Sequence, residues 1–479
     1  MKDYLERAIE TACARGASYA DARAVETLEQ SIHVKDGRTE SLGAFSSAGF
    51  GVRALVNGAW GFASSGSFDN GEMERVAALA VEIARASAIV PGRPVDLGPP
   101  VRSRGEYTTP MAVDPFRIPP EEKLHLLVQA SEAMRRNPRV TVAEGGLIAV
   151  RRKKTFVNSE GAATNQTLVE TGGFIRATAV AGAEIQTRSY PNSSRYQGAA
   201  GWEYIADADL VGNAERVADE AVALLTADTC PEKTTTLILG GSQLALQIHE
   251  SCGHPTELDR VFGTEAAFAG RSFLTVEKRN AFRYGSDIVN LTADSVRPTG
   301  LGTFGWDDEG VPASSTPLVR AGEFAGYLMS RETAAALGLS SNGCMRAEAW
   351  NRIPLIRMTN VSLEPGRWEL EDMISDTDDG VWMETNRSWS IDDMRFNFQF
   401  GTEIGYEIKG GKLGRLLKNC SYGGMTPEFW NSCDAIANAR HWKIWGTPNC
   451  GKGEPMQMMS TGHGASPARF RQVKIGVVR

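Results

Sequence analysis

Residues 234–257 read TTTLILGGSQLALQIHESCGHPTE. Thr234 to Leu239 is a short β-branched and apolar run, which predicts a buried strand. Gly240-Gly241 breaks it, and from Ser242 the apolar spacing becomes helical. Pro255, directly after His254, fits a helix that ends there. The stretch thus hands a strand to a helix whose last turn carries His249, Glu250 and His254. Downstream, the chain is read as mostly short strands and turns, at 272–279, 301–305, 315–330, 353–364, 380–384 and 396–419. Within the last of these, 402–408 and 412–418 form a hairpin across Gly410-Gly411.

Two histidines with a glutamate beside the first are the residue types of a hydrolytic zinc site. Neutral imidazoles hold the ion and a carboxylate takes a proton from water. The spacing is unusual. Five residues of α-helix turn about 500°, which leaves the two side chains about 140° apart. One ion can be reached by both only if the helix end widens to a π-type turn or unwinds at Gly253. Such a site wants a third protein ligand and an open position. Glu257, Cys252, Cys450, His441 and His463 are the candidates. Cys450 lies in the glycine-rich segment Pro448-Asn449-Cys450-Gly451-Lys452-Gly453, where nearby Lys452 is expected to favour the ionised sulfur.

Upstream, residues 2–15 carry helical spacing and stop at Gly16. Strands are expected from Ala20 to about Ser65, joined at Asp36-Gly37 and Asn57-Gly58. A helix over 70–88 follows a cap at Asp69. Eight of the 21 prolines fall between Pro91 and Pro120, which reads as an extended connector. A helix then runs from Pro119 or Pro120 to about Arg136, antiparallel strands occupy 139–200, and 207–226 is helical. The reading is an α+β chain. Its N-terminal α/β part spans 1–228, with possible sub-units 1–90 and 120–228 joined by connector 91–119. Its C-terminal part, 229–479, is β-rich and carries the site.

Composition narrows the function classes. The 479 residues are 42% apolar and 23% charged, which excludes a wholly disordered or fibrous chain. A net charge of −7 argues against a phosphate-backbone binder, so no nucleic-acid partner is expected. No run approaches the ~18 apolar residues of a membrane span, and no secretory leader is visible. A cytoplasmic protein with reduced thiols is expected from this and from seven cysteines. Gly49-x-Gly51-x-x-Ala54 leads into another strand and not a helix, so it fails as a dinucleotide motif. Arg151-Arg152-Lys153-Lys154 reads as a solvated hairpin, Asp307-Asp308-Glu309-Gly310 as a turn, and His33 and His125 as ordinary.

The sequence resembles the TldD/PmbA family of metalloproteases, in its metal-bearing TldD-like branch. The likeness runs through Gly51-Val52-Arg53, Gly58-Ala59-Trp60-Gly61-Phe62-Ala63, His249-Glu250 to His254, Gly302-Thr303-Phe304 and Asp307 to Pro312. It continues through Ser330 to Ala334, Arg357-Met358-Thr359-Asn360, Glu364-Pro365-Gly366, Phe400 to Glu407 and Asn449 to Gly453. The resemblance implies zinc held by His249, His254 and Cys450, with Glu250 as general base. It implies a peptidase for unfolded or extended peptides, including leader segments, that works as a homodimer or beside a PmbA/TldE-like subunit. A catalytically silent peptide-binding subunit is the alternative. Tyr406, Arg357 and Asn386, in matching segments, are weak candidates for stabilising an oxyanion. After His254 many members are glycine-rich, whereas this chain has Pro255-Thr256-Glu257-Leu258-Asp259-Arg260.

Overall fold

The computed structural model describes residues 1–90, 92–193 and 196–477. Pro91, first residue of the expected connector, lies outside the described residues. The fold is α+β.

Long strands Tyr19–Lys35 and Arg38–Val56 pair antiparallel around Asp36-Gly37, both at positive φ (51° and 74°), as a tight hairpin with matched twist requires. Asn57-Gly58 turns the chain likewise into Ala59–Ser65. Val140–Asn158 pairs with Tyr19–Lys35, and Ala163–Ala181 pairs with Val140–Asn158. Strands from both expected sub-units therefore share one eight-stranded sheet. The connector adds Arg104–Thr108 to its edge, parallel to Ala163–Ala181.

Helices Lys2–Ala14 and Asn70–Ser87 bury Leu5, Ala8, Met73 and Val76 against Ala20, Ala22 and Ala24. The Asp69 carboxylate caps the second of these, accepting from the Glu72 N–H at 2.8 Å. Pro120–Arg135 and Ala214–Leu224 cover Ile32, Val34, Ala143 and Leu147 further along the sheet. The last helix starts later than the spacing predicts. Asp209 takes φ +45° and its carboxylate accepts the Gly212 N–H at 3.0 Å, a side-chain turn that replaces the first helical turns.

Beyond residue 232 five strands close on themselves. Lys233–Leu239 runs parallel to Asp379–Ile391, which pairs with Asn397–Lys409. That strand pairs with Ser421–Met425, then Ala468–Ile475, which returns to Lys233–Leu239. Phe398, Phe400, Tyr422, Phe429 and Phe470 belong to the core of this half. Helix Gly241–Ile248 leaves the first strand at Gly240-Gly241, as the sequence predicts, and packs against Asp379–Ile391 and the hairpin Lys443–Lys452/Gln457–Ala465.

Three expectations give way. Residues 301–305 are not a strand: the Asn360 side chain holds them, accepting the Gly302 N–H at 2.8 Å and donating to Thr303 Oγ1 at 2.8 Å. Within 272–279 the regular structure is a 3-10 turn at Val276–Lys278. The basic run is only partly solvated: Lys153 is exposed, and the other three are paired. Arg151 pairs with Asp114, Arg152 with Glu170, and Lys154 with Asp308 at 2.5 Å. Asp307–Gly310 is a turn, and a buried one. Arg23 and Lys154 from the first sheet reach Asp308, and Arg53 lies 3.5 Å from Glu309.

Candidate metal centre

The helix Gly241–Ile248 does not end as an α-helix. His249–Gly253 is a π turn, and His254–Thr256 follows as a 3-10 turn. The wide turn absorbs the fifth residue between the histidines. Their ring centroids come to 4.9 Å with planes at 84°. Gly253 is required by packing: a Cβ there would stand 2.0 Å from Met358 Sδ. Pro255 brings no N–H to continue the ladder.

Cys450 arrives from the hairpin Lys443–Lys452/Gln457–Ala465. One ligand atom each from His249, His254 and Cys450 lies within 4.8 Å of the others, and all three residues are buried. Cys450 Sγ is 3.6 Å from His254 Nε2. A tetrahedral zinc with bonds of about 2.3 Å to sulfur and 2.0–2.1 Å to nitrogen sets these donors about 3.6 Å apart. The residues present therefore fit the group, in donor chemistry and in spacing.

The far side of each donor is anchored. His463 Nδ1 is 2.9 Å from the Val361 carbonyl, which can only accept, so that nitrogen carries the proton. Its Nε2 then accepts from His249 Nδ1 at 2.7 Å, which leaves His249 Nε2 as the metal-facing lone pair. His254 Nδ1 lies 3.0 Å from Glu257 Oε2, which likewise directs Nε2 to the site. Burial pushes His254 and His463 well below the ordinary histidine range, so both are neutral. Burial raises the Cys450 thiol, the Arg357 guanidinium is the largest influence lowering it, and the balance holds the thiol below its usual value. Arg357 also donates from Nη2 to the Cys450 carbonyl.

The other third-ligand candidates go elsewhere. Glu257 stands behind His254 and meets Lys452 Nζ at 3.2 Å. Cys252 is in the hydrophobic core, its thiol pushed up to about 12 by burial. His441 sits with Glu369 and Glu371, and His463 backs His249. Lys452 serves Glu257, Asp259 and Glu265, so the cation that favours the thiolate is Arg357.

Glu250, beside His249, accepts from Arg395 Nη1 at 2.9 Å. Sequence spacing held no signal for Arg395, which is 145 positions away in the turn between two strands. Two of the three weak oxyanion candidates are otherwise engaged. Arg357 bonds the Cys450 and Gln457 carbonyls, Asn386 the Ser388 and Gly401 carbonyls, and Tyr406 packs near Trp382.

Three family models match the chain. Residues 20–84 match the PmbA/TldA metallopeptidase domain 1, 113–225 the central domain, and 232–476 the C-terminal domain. The chain belongs to the PmbA/TldD metallopeptidase family. A metalloprotease of Methanothermobacter thermautotrophicus is 27% identical over 460 residues, 96% of this chain and 95% of that one. A shorter match, 22% over 247 residues and about half of each chain, is named a zinc metalloprotease TldD homolog of Saccharolobus solfataricus. Among solved structures, a Thermotoga maritima protein described as a candidate modulator of DNA gyrase superposes with TM-score 0.79 over 99% of both chains at 18% identity. TldE of Thermococcus kodakarensis superposes with TM-score 0.76 at 17% identity, over 98% of this chain and 99% of that one. These likenesses show a shared fold.

Proposed function

We propose that this metallopeptidase is zinc-dependent and hydrolyses unfolded or extended peptides, leader or precursor segments among them. The observation that carries the reading is the convergence of His249, His254 and Cys450 on one point, with Glu250 next to His249 in the same π turn. A relative named as a zinc enzyme supports the choice of ion. Bound there, zinc would supply Lewis acidity and lower the pKa of a water. Glu250 takes the proton of the attacking water and delivers it to the leaving amine nitrogen. The relays through His463 and Glu257 fix the imidazole tautomers, and Arg357 sustains the thiolate.

Phe268, Met394, Met456 and Met458 are 39–47% exposed. Phe268 covers Gly453, Met456 covers Gly451, and Met394 precedes Arg395. They give the centre an apolar, adaptable rim suited to side chains of an extended peptide.

The chain works as a dimer, with a second copy or with a TldE-like subunit, a reading supported by the likeness to TldE. It comprises the two units 1–228 and 229–479, a division that falls between family matches ending at 225 and starting at 232. A cytoplasmic setting accords with cysteines that are all unbridged. No described helix is long and apolar enough to cross a membrane. A net charge of −7 gives no support for direct DNA contact.

Metal content per chain, measured on wild type and Cys450→Ala with cleavage of labelled casein, tests the proposal. About one zinc and cleavage in wild type, both lost in the variant, support it. A wild type that takes up no zinc favours the silent peptide-binding subunit.

A further inference from the structure

We infer that Arg395 is the catalytic electrophile of this centre, donating to the peptide carbonyl oxygen as it gains negative charge. The inference rests on the peptidase reading and adds a residue to it.

Arg395 is built into place. It sits in the turn between Asp379–Ile391 and Asn397–Lys409, at φ +63°, a conformation that costs a non-glycine residue of order 1 kcal/mol. Four bonds hold the turn in that shape. The Asp392 carboxylate accepts the Phe396 and Asn397 N–H groups at 2.8 and 3.0 Å. The Arg395 carbonyl accepts Thr426 Oγ1 at 2.9 Å. The Met394 carbonyl accepts the Phe273 N–H at 3.0 Å. The side chain is thereby aimed inward, with Nη1 on Glu250 Oε2 at 2.9 Å. Nε is buried and finds no partner among the described residues. A buried N–H without an acceptor is costly unless something else fills the place. A guanidinium presents its donors as a planar fork, so one can hold Glu250 while another meets an oxygen beside it.

The charge movement of hydrolysis fits that fork. A lone pair of the water oxygen bonds to the carbonyl carbon, and the C=O π pair moves onto the carbonyl oxygen. The water's proton passes to Glu250. Negative charge leaves the carboxylate and appears on the oxygen, and Arg395 stands beside both. It faces an anion before and after the step and needs no reorganisation, which is what makes such donors effective. On collapse the oxygen pair re-forms C=O, the C–N pair leaves with nitrogen, and Glu250 returns its proton to that nitrogen. The new acid ionises to solvent.

Arg395→Met and Arg395→Ala test this, on protein carrying wild-type zinc and melting normally. Turnover is read with labelled casein and with one casein peptide that the wild type cuts. Affinity is read by calorimetry for a phosphinic isostere of that peptide, and for the uncut peptide in a Glu250→Gln background. The expected result is a fall in kcat of about 10²–10³-fold with KM within about threefold. Phosphinate affinity falls by a similar factor, peptide affinity holds, and added guanidinium partly restores Arg395→Ala. A rise in KM with kcat and phosphinate affinity intact overturns the inference and makes Arg395 a ground-state anchor. Failure of the peptidase reading looks different: zinc-loaded wild type itself then neither cuts casein nor binds the phosphinate.

Discussion

His463→Ala isolates the relay that orients His249. The imidazole of His463 is fully buried and spans 2.7 Å to His249 Nδ1 and 2.9 Å to the Val361 carbonyl. Its removal lets His249 turn or change tautomer. Loss of such an outer partner costs about 10–100-fold in metal affinity, or about 1.4–2.7 kcal/mol. The same change takes the short partner from a buried N–H, which keeps Thr461 Oγ1 at 3.5 Å, and from a buried carbonyl, each up to about 1–3 kcal/mol of folding stability. That second penalty acts with or without metal, so an absolute melting temperature cannot separate the two. The zinc-dependent increment can. At free zinc 100 times the dissociation constant, wild type gains about 2.7 kcal/mol, and a variant about 30-fold weaker gains about 0.9 kcal/mol. Competition against a chromophoric chelator at neutral pH, with melts in zinc and in chelator, measures both quantities. His463→Gln, whose amide can accept from His249 and donate to Val361, should recover most of the affinity. If His463→Ala binds zinc within about threefold of wild type, His463 does not position the ligand and the tautomer argument fails.

Glu250→Gln should keep zinc and lose about 10²–10⁴-fold in peptide cleavage, checked by elemental analysis beside a casein assay. Gly253→Ala puts a Cβ 2.0 Å from Met358 Sδ in a buried turn, so it should cost about 1–3 kcal/mol in urea unfolding and reduce zinc loading. Gly253→Ala with Met358→Ala should regain part of the loading, because the obstructing sulfur is gone. Asp308 is raised by burial but held below the ordinary carboxylate range by Lys154 and Arg23. A depressed acid contributes stability that is full above its unfolded pKa of about 3.9 and is lost as pH falls through the folded value. The stability gap between wild type and Asp308→Asn should therefore be flat from about pH 7 to 5 and shrink below about pH 4, measured by denaturant titration at each pH.

The features legible in the sequence are local ones. Asp36-Gly37, Asn57-Gly58 and Gly410-Gly411 announce their hairpins because only a few residues tolerate the required φ. The five-residue spacing of His249 and His254 calls for a widened helix end, and the structure has a π turn there. Cys450 differs. Its place beside His254 depends on a hairpin packed against the helix from 196 positions away, and spacing alone leaves Glu257, Cys252, His441 and His463 open. Ring closure between Lys233–Leu239 and Ala468–Ile475 is illegible for the same reason. Residues 301–305 mislead because Gly302-Thr303 bond to the Asn360 side chain, a partner that no periodicity reports. Arg395 leaves no trace because its role depends on a turn held in the left-handed region by Asp392 and Thr426.

The centre divides its labour between core and surface. His463, Glu257 and Arg357, which stand behind the three donors, are all fully buried. Their bonds run to the backbone of Val361, to Lys452 and to the Cys450 and Gln457 carbonyls. Donors fixed in this way are organised by folding itself, and little ordering is left for the ion to impose. Glu250, buried as well, bonds instead to an arginine carried by a turn whose Asp392, Asp393 and Met394 are exposed. Changes behind the donors should therefore act on metal affinity and on stability together. Changes in residues 392–396 should act on turnover while the metal stays bound. A substitution in that turn that releases zinc, or one at His463 that slows cleavage with zinc fully retained, would contradict this partition.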